Sequence, residues 1–171
     1  AENQGLSFMG VTPAGPFYIT SDLAEQWIAA TGNPNHRLNS DVVRPYYTGT
    51  DIVQGSRNVW IVDFGVDMPL EEAALYQLPF EYVKTEVYPV RQKNKRATYR
   101  ERWWILAESR PGMRDALRPL SRYIGTPLVS KHRLFDWIPP EVLPGNLVIV
   151  IAREDDYFFG LLHSKVHVLW A

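Results

Sequence analysis

A chain of 171 residues, 46% hydrophobic and 13% aromatic, has the size and composition of a single globular domain, which excludes a disordered tract. It has no cysteine, so a disulfide framework and a Cys-ligated zinc site are excluded. The net charge of −1 conceals a segregation: residues 84–133 carry +9, against −7 in residues 1–83 and −3 in residues 134–171.

In chain order, the first predicted helix covers residues 22–30. Asp22 caps it, Glu25 closes a capping box, Trp27 and Ile28 face inward, and Gly32 ends it. Val59 to Phe64 is apolar on both faces, as a central strand would be. A short helix follows, with Pro69 at its first position and Glu71 and Glu72 in the first turn. Trp103-Trp104-Ile105-Leu106 is a further strand candidate. Beyond it, Ser109 is placed to cap a helix that starts at Pro111, with Met113, Leu117 and Leu120 as its apolar stripe. Arg110, Arg114, Arg118 and Arg122 recur every fourth residue, a drift of only about 40° per step at 3.6 residues per turn. Pro119 limits this ladder to its first three rungs. Leu147 to Ala152 reads as a strand, joined by a charged turn to Tyr157–Phe159, and Leu161 to Trp170 as a helix that breaks off unfinished. These elements do not alternate strictly. They predict an α+β fold over residues 1–171, a single compact domain with a mixed or antiparallel sheet, short helices and a basic loop region.

Several strings imitate active sites. Asp63-Phe64-Gly65 spells a kinase metal motif, but no glycine-rich phosphate loop precedes it. Asn33-Pro34-Asn35-His36 approaches the base-gripping tetrapeptide of adenine methyltransferases and lacks its second proline and its aromatic; a turn accounts for it better. His163 and His167 have the spacing of a helical metal pair without a third ligand. Asp155 and Asp156 are a possible magnesium pair for phosphodiester cleavage, the basis of an alternative reading as a metal-dependent nuclease. No catalytic motif, metal set or cofactor fingerprint is legible in this chain.

The positive segment is the better pointer. A segregated field of this kind suits a polyanion, because each phosphate neutralised releases condensed counterions. Arg91-Gln92-Lys93-Asn94-Lys95-Arg96 reads as a projecting loop, continued by Arg100. Its residue types both hold phosphates and read base edges. Arg114 and Arg118 on the predicted helix, with Lys131, His132 and Arg133 after it, complete a candidate cleft for duplex DNA. The other alternative is a protein-interaction module whose basic face meets an acidic partner.

Six strings in series carry a resemblance: Asn39 to Pro45, Trp60 to Gly65, Glu72 to Tyr76, Met113 to Leu117, Tyr123 to Arg133, and Asp155 to Ser164. Together they resemble the target recognition domain of MmeI-like adenine-N6 DNA methyltransferases, large single-chain enzymes of bacterial restriction-modification and related phage-defence systems. The resemblance implies that this chain clamps double-stranded DNA and reads its sequence. A catalytic domain of the same polypeptide, which binds S-adenosylmethionine, would methylate a flipped adenine. No cofactor is then expected in this chain, which would be a piece of a longer, cytoplasmic protein with no membrane partner. Within the shared strings Lys131, His132 and Arg133 suit phosphate or structural roles, and the loop 91–100 suits sequence readout.

Overall fold

The structure is a computed structural model in which residues 5–165 and 167 are described. In chain order the elements are β1 (Ser7–Met9), β2 (Tyr18–Ile19), α1 (Ser21–Ala29), β3 (Val43–Tyr47), α2 (Gly49–Gln54), β4 (Trp60–Val62), α3 (Leu70–Ala73), α4 (Gln77–Glu86), α5 (Tyr88–Gln92), α6 (Ala97–Glu101), α7 (Pro111–Leu117), β5 (Tyr123–Pro127), β6 (Asp136–Ile138), β7 (Leu143–Pro144), β8 (Val148–Ile151) and α8 (Asp156–Leu162). The fold is α+β, with short helices and antiparallel strand pairs. Two compact units result. One comprises the chain up to Gly10, Tyr47–Arg57 and the chain from Arg110 on; the other comprises Val11–Tyr46 and Asn58–Ser109.

The first unit is built on a sheet ordered β1-β8-β5-β6. Val148 and Val150 of β8 and Tyr123 and Ile124 of β5 are fully buried, as strands paired on both edges and covered by other elements must be. Gly125 in β5 has no room for a side chain. A Cβ there would run into Ile138 Cδ1 and approach Ile52 Cδ1 of α2 to 3.4 Å, so its absence lets these groups close over the sheet. Asp51 anchors α2. Its carboxylate accepts from Thr48 N at 2.7 Å, and from Arg57 N at 2.9 Å and Arg57 Nε at 3.0 Å. Burial pushes its pKa up, but the hydrogen bonds from Arg57 and Thr48 win and hold it at about 2.

The second unit carries the order β2-β4-β3, with β4 central as its sequence predicts and Ile61 and Val62 fully buried. An aromatic cluster of Phe64, Tyr76, Phe80 and Trp103 fills its core. The Trp103–Leu106 segment is a turn, not the expected strand. Its side chains find the core without a ladder: Trp103 lies against Phe80, and Trp104 Nε1 donates to Met68 O at 2.9 Å. Four apolar residues are too short a run to distinguish a strand from a buried turn.

Other boundaries moved for local reasons. Helix α1 starts one residue before the predicted position and is capped by the Thr20 side chain, which accepts from Leu23 N, rather than by Asp22. Pro69 is the cap residue of α3 and not its first helical residue. Arg110, in the left-handed region at φ 57°, takes the cap position of α7 that Ser109 was expected to hold, while Pro111 opens the helix as predicted. Tyr157–Phe159, expected to follow a charged turn, lies in the first turn of α8, which the Asp155 carboxylate caps. That helix ends at Leu162. Of the predicted Leu161–Trp170 helix, residue 166 and residues 168–170 lie outside the described residues.

Candidate nucleic-acid interface

The stretch 91–100 is not a projecting loop. It forms the end of α5, a four-residue turn at residues 93–96 and the start of α6. Side chains of the stretch itself hold that turn. Arg100 Nη1 donates to Asn94 O at 2.8 Å and Lys95 O at 3.0 Å, and Gln92 Nε2 donates to Arg100 O. Asn94 Oδ1 accepts from Arg96 N at 3.0 Å, an Asx turn that leads into α6. Arg96 Nη1 donates to the Tyr99 hydroxyl at 2.8 Å, with its guanidinium over the Tyr99 ring.

Arg91 leaves the candidate set for a direct surface contact. It is 1% exposed, and its Nη2 donates to Pro13 O at 2.8 Å and Ile105 O at 3.0 Å. Lys93, Lys95 and Arg96 stay exposed in this unit; the Arg96 side chain is tied to Tyr99, whereas the Lys93 and Lys95 side chains make no ion pair or hydrogen bond among the described residues.

The other predicted cations lie in the first unit. Arg114 of α7 is half-buried. Arg118, at the C-cap, pairs with Asp115 at 2.7 Å while both stay exposed, a pair that a phosphate can displace at little cost. The guanidinium ladder does not form along one helix. Arg110 Nε turns back to Gly10 O at 3.2 Å, and Arg122 lies beyond the helix, pairing with Asp156 at 2.7 Å. The Arg122 guanidinium sits 3.9 Å from the Trp137 ring centre, and Trp137 stacks on Phe159 at 4.5 Å, an arrangement that no local sequence pattern signals. Lys131, His132 and Arg133 are exposed on the connection between β5 and β6, and Lys131 makes no ion pair among the described residues. His132 and Arg133, with Thr126, Ser130, Phe135 and His167, border a half-open cavity of about 510 Å³, within the usual size of a small-molecule site.

The catalytic look-alikes are structural. Asn33 is buried, donating to Arg37 O and Asn39 Oδ1 and accepting from Gln77 N, so its tetrapeptide is a fastened turn. Asp63 Oδ1 accepts from Gly65 N. Asp155 is held below the usual carboxylate range by Arg153 and by its cap bond to Phe158 N, and Asp156 is tied to Arg122. The two acids are therefore engaged separately, which removes the support for the nuclease alternative. His163 and His167 both meet the Phe135 ring edge-on, and no described group of three His, Asp or Glu residues is placed to hold a metal ion.

The sequence matches no family model and no curated protein. Among solved structures, the chain is similar to the type IIL restriction-modification enzyme MmeI, solved in complex with DNA. The TM-score is 0.71 at 18% identity, over 96% of this chain and 21% of that enzyme. This is the fold of one stretch of a restriction-modification enzyme. The chain spans about a fifth of that enzyme's length. No described helix is long and apolar enough to cross a membrane.

Proposed function

We propose that this chain is a target recognition domain for double-stranded DNA, belonging to an adenine-N6 methyltransferase of the restriction-modification class. One observation carries the reading: nearly the whole chain shares its fold with part of an enzyme that was solved on DNA. The uncommitted lysines give it a chemistry. Lys93, Lys95 and Lys131 hold positive charge in water with no internal partner among the described residues, and phosphates are the natural counter-charge. Arg96, Arg100, Arg114, Arg118, His132 and Arg133 stand behind them as further contacts or as supports of the contacting segments.

Sequence readout falls to the turn between α5 and α6. Asn94 spends its carbonyl oxygen on Arg96 N, which leaves its amide N–H groups to meet an acceptor on a base edge. Methyl transfer belongs to a catalytic domain of the same polypeptide, which binds S-adenosylmethionine.

Fluorescence anisotropy with a labelled duplex tests this. The chain alone should bind weakly, in the non-specific range of about 10⁻⁴–10⁻⁶ M at physiological salt, with log K falling against log salt at a slope of roughly −4 to −5 for about five phosphates. Binding that ignores salt, or equal binding to heparin and to duplex of the same charge, would overturn it.

A further inference from the structure

The burial of Arg91 leaves a charge unanswered. Its guanidinium stays protonated at any pH the protein survives, so the charge persists inside the second unit. Two of its five N–H donors go to the Pro13 and Ile105 carbonyls. The Phe17 and Tyr99 rings lie 5.5 and 5.0 Å from its central carbon and replace part of the lost hydration. Nε is buried and makes no hydrogen bond, and no described carboxylate forms an ion pair with this side chain. A buried ion without a counter-charge is among the costliest arrangements in a protein interior.

Arg91 borders a half-open cavity of about 100 Å³, together with Thr98, Tyr99, Arg102 and Ser109. Ligand sites for whole small molecules start near 300 Å³, so this space suits a single group, not a nucleobase or a sugar. Arg102 adds a second positive charge. One of its Nη2 donors goes to Val66 O at 2.6 Å, and its remaining N–H groups have no partner among the described residues. The Thr98 side chain likewise makes no internal hydrogen bond there and adds a neutral donor.

We propose that this cavity is an anion site, where one oxyanion of the phosphate class answers the charges of Arg91 and Arg102 with the Thr98 hydroxyl as a third contact. Two guanidinium groups provide the planar, forked donors that suit such an anion. The site stands on the second unit alone and does not depend on the reading as a DNA-binding domain. Inorganic phosphate and a phosphodiester of nucleic acid present the same chemistry, and the experiment separates them.

Inorganic phosphate is titrated into the full chain by calorimetry and by thermal denaturation, with chloride at matched ionic strength as the control. Saturable binding and a rise in Tm beyond that seen with chloride are expected. Arg102→Gln and Thr98→Val alter exposed residues and should each weaken phosphate at least fivefold with near-ultraviolet circular dichroism unchanged. Equal Tm in phosphate and chloride, or saturable binding that ignores both substitutions, overturns the site. If phosphate displaces a labelled duplex beyond its ionic-strength effect, the site takes a backbone phosphodiester. If it binds without displacing the duplex, or if the chain binds no duplex at all, the free ion is the ligand.

Discussion

Neutralising the free lysines should flatten the salt dependence of DNA binding by an amount fixed in advance. Lys93 and Lys95 lie on the turn between α5 and α6, and Lys131 on the connection between β5 and β6; all three are exposed and outside any described ion pair. Their replacement by Gln therefore removes charge without breaking an internal bond. Each phosphate contact contributes about 0.9 to the slope of log K against log salt. Lys93→Gln with Lys95→Gln should lower the slope by about 1.8, Lys131→Gln by about 0.9, and the triple variant by about 2.7. At 0.15 M salt, a lost slope of that size corresponds to a weakening of about 10²-fold. Anisotropy titrations of one labelled duplex at four salt concentrations measure all of this. An unchanged slope in the triple variant, with its circular dichroism unaltered, would refute the assignment of these lysines to phosphate. A slope change from the Lys93/Lys95 pair alone would confine the interface to the second unit.

Further outcomes follow from geometry. The Asp51 carboxylate, held at about 2 in the fold against about 3.9 in an unfolded chain, supplies about 2–3 kcal/mol that is fully present above pH 5 and is lost as pH falls toward 2. Asp51→Asn should therefore cost about that much at pH 7 and almost nothing at pH 2 by urea unfolding; an equal cost at both would remove the charge from the explanation. Gly125→Ala forces Ile138 aside and should cost about 1–3 kcal/mol in thermal denaturation, whereas an unchanged Tm would mean that the sheet has slack there. Asn94→Asp keeps the acceptor for Arg96 N and should leave stability intact while changing the methylated site of the intact enzyme. A collapse of turnover on the unchanged site would remove Asn94 from readout.

The sequence determined the things that depend on local pattern. The apolar residues Val59–Val62 read as a central strand and form one at Trp60–Val62, and the proline at 111 opens a helix as its fixed φ favours. Its charge segregation and its six family-like strings pointed toward nucleic acid, and the chain shares its fold with a stretch of a restriction-modification enzyme. One misplacement was also legible: Val83, Val87 and Arg91 recur every fourth residue, so Arg91 continues the buried stripe of α4 and α5. Only the tertiary structure decided which cations are free. A lone sequence cannot tell Lys93, whose side chain has no partner among the described residues, from Arg100, which fastens its own turn through two carbonyls. Nor could it divide the positive segment at Ser109 and Arg110 between two compact units, since long-range packing, not local composition, sets that boundary. Charge is a property of residues one at a time; its availability depends on partners that folding brings from far along the chain.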